Sequence, residues 1–121
     1  MKAIYASSSI PLIADESCVS EKDVARCAGY FHGINIKLTK CSGITPARRT
    51  IREARELGLK VMMGSMNESV IGSAAIAHFL PQLDYVDMDG PLLPTESNAK
   101  GVEYNFGEIQ LSGKPGLGIF F

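Results

Sequence analysis

The chain has no basic run, no stretch of apolar residues approaching the ~20 needed to span a bilayer, and only three cysteines. Twelve Lys and Arg against thirteen Asp and Glu leave a formal charge of −1. With no basic patch or basic helix, nucleic acid and an anionic membrane surface are excluded as expected partners. Cys18, Cys27 and Cys41 are odd in number and widely spaced, which fits neither a disulfide frame nor a zinc pattern. Free thiols suit a reducing compartment, so a cytoplasmic location is expected. Residues 1–9 carry one lysine and no apolar segment long enough for a signal peptide. Low-complexity tracts and long linkers are also missing. Ser65 lacks the frame of a nucleophile elbow, and Gly113 to Gly118 does not match a phosphate loop. His32 and His78 have no partners at ligand spacing and read as structural.

What is present is globular: 45% hydrophobic and 21% charged residues over 121 positions. The length predicts one unit that can bury about two-thirds of its unfolded surface. It falls well short of the roughly 250 residues of a complete (β/α)8 barrel.

Strand and helix signals alternate. Pro11-Leu12-Ile13-Ala14 is a short apolar strand ending at Asp15-Glu16-Ser17. Ser20 with Glu21 and Asp23 reads as the cap and acidic first turn of a helix that runs to about Ala28, where Gly29 stops it. Gly33 to Leu38 is a second strand. Thr45-Pro46 predicts a helix from Pro46 to Leu57 with Ala47, Ile51, Ala54 and Leu57 as its buried stripe, and Gly58 closes it. Leu59 to Gly64 is a third strand. Val70 to Leu80 is a helix too apolar for a surface, ended by Pro81. Asp84 to Asp89 is a fourth strand, stopped by Gly90-Pro91. Val102 to Tyr104 and Glu108 to Leu111 flank Asn105-Phe106-Gly107 as a hairpin, and the remaining tail is irregular. The order β-α-β-α-β-α-β implies an α/β fold with a parallel sheet and mostly apolar, doubly covered strands. Four such units make either an open doubly wound sheet or half of a closed barrel, and the pattern alone leaves both open.

Ionisable and amide groups collect at or just past the C-terminal strand ends: Asp15-Glu16, Lys37 with Lys40, Asn67-Glu68-Ser69, and Asp87 with Asp89. Ligands bind at these ends in α/β sheets and barrels. Two-residue alternation puts Asn35 and Lys37 on one face. A lysine on a buried strand must face a polar cavity, pair with a carboxylate such as Asp15 or Glu68, or take a lowered pKa that suits a general base. Asp87 and Asp89 share a face, with Met88 opposite. Their repulsion asks for a cation, unless one of them caps the Gly90-Pro91 turn. Asp15 is either a hard-cation ligand or a cap. Glu16 is a supporting partner or solvated, and Glu68 could cap the next helix.

Four segments, Pro-Leu-Ile-Ala-Asp-Glu-Ser (11–17), Ile-Asn-Ile-Lys-Leu-Thr-Lys (34–40), Gly-Ser-Met-Asn-Glu-Ser (64–69) and Asp-Met-Asp-Gly-Pro-Leu (87–92), stand in the order and spacing of the enolase superfamily. The chain resembles its muconate-lactonizing subgroup, and the Asp-x-Asp-Gly-Pro segment is most similar to the dipeptide epimerases. The resemblance covers residues 10–118. It implies the last four βα units of a (β/α) TIM-like barrel: residues 1–9 ending a preceding helix and loop, 10–93 forming the units, and 94–121 a C-terminal hairpin and tail.

The resemblance also implies roles. Asp15 would be a carboxylate ligand of Mg²⁺, and Lys37 the acid/base on one face of the substrate α-carbon. Asp87 and Asp89 would bind a dipeptide ammonium. Met66 and Asn67 would line the pocket near Glu68, with Glu16, Lys40 and Asn35 in support. The second acid/base lysine and two further metal carboxylates lie on earlier strands in the family. By itself the chain is therefore expected to lack an assembled site and to need a missing N-terminal half or another copy of itself. The alternatives are a muconate cycloisomerase or o-succinylbenzoate synthase acting on another small carboxylate, or a non-catalytic, self-associating half-barrel. Three departures from the family pattern concern loop detail: Ser42 for a glycine, Ser65 for a common cysteine, and Pro94-Thr95-Glu96-Ser97 after the Gly-Pro turn.

Overall fold

The computed structural model describes residues 2–92 and 97–121. The departures at Pro94, Thr95 and Glu96, and the boundary expected after Leu93, lie outside the described residues. Contacts group the chain into two compact units, Met1–Gly64 with Gln82–Val86 and Ser65–Pro81 with Asp87–Phe121.

The first unit opens with α1 (Lys2–Ser7) and holds β1 (Ile13–Ala14), α2 (Val24–Cys27), β2 (Gly33–Ile36), α3 (Ile44–Glu56) and β3 (Lys60–Gly64). β4 (Tyr85–Asp87) gives it Tyr85 and Val86. The sheet order is β1-β2-β3-β4. The β1–β2 and β2–β3 pairs are parallel, with Ile13 opposite Gly33, Ile34 opposite Val61 and Ile36 opposite Met63. Ile34, Val61 and Met63 are fully buried, and such side chains contribute ~1.5–3 kcal/mol each. The α/β class and the run of strand and helix are as the sequence implies.

Several boundaries differ from the expectation. The first helix is a 3-10 turn, Glu21–Asp23, that leads into the short α2. The Asp23 carboxylate accepts the Ser20 N–H and hydroxyl, both at 2.9 Å, so the acid on the first turn reaches back to its cap. α3 starts at Ile44, before Pro46. Gly43, at φ +104°, supplies the entry that a side chain rarely adopts, and Pro46 falls in the first turn, where a missing N–H is harmless. Ala47, Ile51 and Ala54 are buried as expected, but Leu57 is 43% exposed because the helix has already ended at Glu56. Thr50 takes the vacant place in the stripe, its hydroxyl donating to the Pro46 carbonyl at 3.0 Å. β4 is exposed at Tyr85 and Val86, against the expected double cover. It ends the strand order, so it pairs on one side only.

The second unit holds α4 (Val70–Ala77), a 3-10 turn at Gly90–Leu92 and the hairpin β5 (Val102–Asn105) and β6 (Glu108–Leu111). Ser73 to Ala77 are buried, as the apolar composition of α4 demands. The helix stops at Ala77 rather than Leu80, because its last turn tightens: Phe79 N–H donates to the Ile76 carbonyl at 2.8 Å. The hairpin turn is Phe106-Gly107, with φ +48° and +86°. Such a turn matches strand twist. Paired bonds between Lys100 and Phe120, at 2.8 and 3.0 Å, anchor the tail that the sequence leaves irregular.

Candidate functional site

Asp15 follows β1 directly and Lys37 follows β2 directly, so parallel pairing brings the two side chains together. Lys37 Nζ donates to Asp15 Oδ2 at 2.7 Å. Lys40 Nζ stands 3.8 Å from Asp15 Oδ1 and donates to Glu16 Oε1 at 3.3 Å. Of the options open to Lys37, the structure thus selects the carboxylate pair. The hydrogen bond to Asp15 holds its ammonium above the ordinary lysine range, despite burial that acts the other way. The lysine side chain is 13% exposed, and the Asp15 side chain 34%. Asp15 Oδ1 is buried without a hydrogen-bond partner. Asn35 is buried on β2 with its Oδ1 likewise unpartnered. It packs against Gly64, where an added Cβ would lie 2.8 Å from Asn35 Nδ2.

The other sequence-derived residues belong to the second unit. Asp87 closes β4; Asp87 and Asp89 are exposed and Met88 is buried, so the alternation continues past the strand. Met66 and Asn67 are exposed after β3. Glu68 is buried. Its Oε2 accepts the Met66 N–H, and its Oε1 has no partner, so it braces the loop rather than capping α4. Ser65 binds the end of β4 and the residues after it at three points: its N–H donates to the Asp87 carbonyl at 2.8 Å, its hydroxyl donates to Asp89 Oδ1 at 3.2 Å, and its Oγ accepts the Gly90 N–H at 3.3 Å. A hydroxyl immediately after a strand was the available signal. Tyr104 on β5 is half-buried, and burial pushes its hydroxyl up.

His32 is structural: its Nδ1 accepts the Leu12 N–H at 2.9 Å and its ring lies 4.5 Å from that of Tyr5. The three cysteines are buried and free. Among the described residues, no helix is long and apolar enough to cross a membrane. Nor does any group of three His, Cys, Asp or Glu side chains among them stand ready to hold a metal ion. Asp15, with one buried oxygen lacking a hydrogen-bond partner, fits a hard divalent cation as one ligand of a larger set.

Consecutive βα units carrying lysine and carboxylates just past their strand ends define an α/β protein of the half-barrel kind. The chain belongs to the enolase C-terminal domain-like family, which matches residues 1–121. It is 53% identical to the L-Ala-D/L-amino acid epimerase of Flavobacterium johnsoniae over 118 residues, 98% of this chain and 35% of that protein. The L-Ala-D/L-Glu epimerase of Bacillus subtilis, solved with substrate, superposes with a TM-score of 0.89 at 33% identity, over 98% of this chain and 34% of its own. The dipeptide epimerase of Cytophaga hutchinsonii, solved with Mg and D-Ala-L-Val, gives 0.89 at 32% identity, over 99% of this chain and 34% of its own. The chain thus spans about a third of the length of the relatives it matches.

Proposed function

We propose that this chain forms the C-terminal part of a Mg²⁺-dependent dipeptide epimerase and needs the remaining barrel units for activity. The observation that carries this reading is the Lys37–Asp15 pair, a lysine and a half-satisfied carboxylate placed directly after adjacent parallel strands. Asp15 would supply one carboxylate to a divalent cation, which when bound would offset the negative charge that develops beside a substrate carboxylate as the α-proton leaves. Lys37 moves the proton at one face of the α-carbon. Held protonated by Asp15, it is poised as the acid. In its neutral form the same amine takes the α-proton as base. Lys40 and Glu16 flank the pair and tune its field, and Asn35 supports β2 beneath it. Asp87 and Asp89 receive the dipeptide ammonium, and the Met66-Asn67 backbone lines the pocket beside Glu68. The opposite-face base and further carboxylates come from the rest of the barrel.

To test this, the chain is combined with Mg²⁺ and the complementary two-thirds of the Flavobacterium johnsoniae epimerase, and α-proton exchange of L-Ala-L-Glu is followed in deuterated solvent. Exchange is expected with the intact sequence and not with Lys37→Met. A folded complex that exchanges no L,L- or L,D-dipeptide refutes the reading. Replacing Asp87 and Asp89 by Asn is expected to abolish dipeptide exchange. Undiminished turnover of an acid lacking an ammonium group would instead place the protein with the cycloisomerases and o-succinylbenzoate synthases.

A further inference from the structure

We propose that Ser65 is a positioning residue that holds the Asp89 carboxylate, beside Asp87, ready for a substrate ammonium, an inference that rests on the dipeptide reading above. Ser65 is the first residue after β3, and its backbone is tied to the Asp87 carbonyl at 2.8 Å. That bond sets where its side chain can reach. The hydroxyl then acts in both senses, donating to Asp89 Oδ1 at 3.2 Å and accepting from the Gly90 N–H at 3.3 Å. One side chain thereby grips both ends of the Asp89-Gly90 turn. Gly90 itself is packed so closely that an added Cβ would lie 2.7 Å from the Met66 carbonyl oxygen. Buried Met88 pins the centre of the segment, while both carboxylates stay exposed.

Only a group that is donor and acceptor together performs this task. Alanine loses both bonds, cysteine keeps weak versions of each, and threonine keeps both. A carboxylate with its rotamer held in advance loses less freedom when a ligand arrives. Ser65 therefore acts through Asp89 without touching substrate, and its effect is read as affinity for the ammonium.

The test uses the ¹⁵N-labelled chain, combined for the binding measurements with Mg²⁺ and the complementary two-thirds of the Flavobacterium johnsoniae epimerase, with Ser65→Ala, Ser65→Cys and Ser65→Thr. Amide exchange of Gly90 reads the clamp without any ligand. Chemical-shift titration with L-Ala-L-Glu and with its N-acetyl derivative reads the ammonium. Ser65→Ala is expected to speed Gly90 exchange and weaken L-Ala-L-Glu binding, each by about tenfold, the net worth of one hydrogen bond. Threonine restores both and cysteine falls between. The affinity for the N-acetyl dipeptide, which lacks the ammonium, is the same for every protein in the series. Should the alanine variant fail to fold, the cysteine and threonine variants carry the comparison. Unchanged Gly90 exchange and binding in the alanine and cysteine variants, or a loss that threonine does not restore, overturns the assignment. Faster Gly90 exchange, with wild type blind to the free dipeptide, supports the clamp and removes the ammonium reading.

Discussion

Replacing Asp15 by Asn strikes the Lys37 pair directly, and its effect can be worked from the structure. The lysine side chain is 13% exposed and loses a partner at 2.7 Å; Lys40, 3.8 Å from the same carboxylate, keeps Glu16 at 3.3 Å. Breaking a fully buried pair costs ~3–5 kcal/mol, and an exposed pair contributes ~0.2–1. Asp15 is a third exposed, so solvent screens the field and a loss of about 1–2 kcal/mol is expected at pH 7. With a urea slope of ~2 kcal/mol/M, the circular-dichroism midpoint drops by roughly 0.5–1 M. The pH dependence follows from the raised lysine pKa. From neutral pH up to the ordinary lysine value of 10.5 the pair's stabilisation is complete, and it is lost as pH rises through the higher folded value. Wild type and Asp15→Asn should therefore differ at pH 7 and converge in strong alkali. A double-mutant cycle with Lys37→Met isolates the coupling between the two groups. A coupling near zero at pH 7, or a gap that persists unchanged above the folded lysine pKa, refutes the reasoning.

Three further outcomes follow from the packing. Gly64→Ala places a methyl 2.8 Å from Asn35 Nδ2 and 2.9 Å from Asn35 Oδ1, and should lower stability by ~1–3 kcal/mol in thermal unfolding; the double variant Gly64→Ala, Asn35→Ala should recover part of it. Asp84 accepts the Val61 N–H at 2.7 Å and Arg55 Nη1 at 2.5 Å, and the Val61 bond is the main cause of its lowered pKa. Its stabilisation is present above the ordinary 3.8 and is lost as pH falls through the folded value, so Asp84→Asn should cost about 1–2 kcal/mol at pH 7 and little at pH 2 by urea titration. Burial pushes the Cys18 thiol up to about 12, so iodoacetamide at pH 8 should label it only on unfolding, as read by mass spectrometry.

Much of the fold was legible because its signals are local. The apolar β-branched run at 33–36, the Arg- and Glu-rich face of α3 and the apolar run of α4 declare themselves within a dozen residues. The boundaries were less legible, because helix ends depend on bonds that the pattern does not show. Gly43 rather than Thr45 opens α3, and a tightened last turn rather than Pro81 ends α4.

By itself the amino-acid order determined the α/β alternation, the gathering of Asp15, Lys37 and Asp87 at or just past the C-terminal parts of strands, and the family resemblance, since these rest on residue type and spacing along the chain. Only the tertiary structure decided that Lys37 pairs with Asp15 and is held protonated, that Ser65 clamps Asp89 and Gly90, and that β4 stays exposed. Each of these depends on residues 22 to 25 positions apart meeting across parallel strands, or on what covers a strand. Such contacts are fixed by register and packing, which no single segment of sequence encodes.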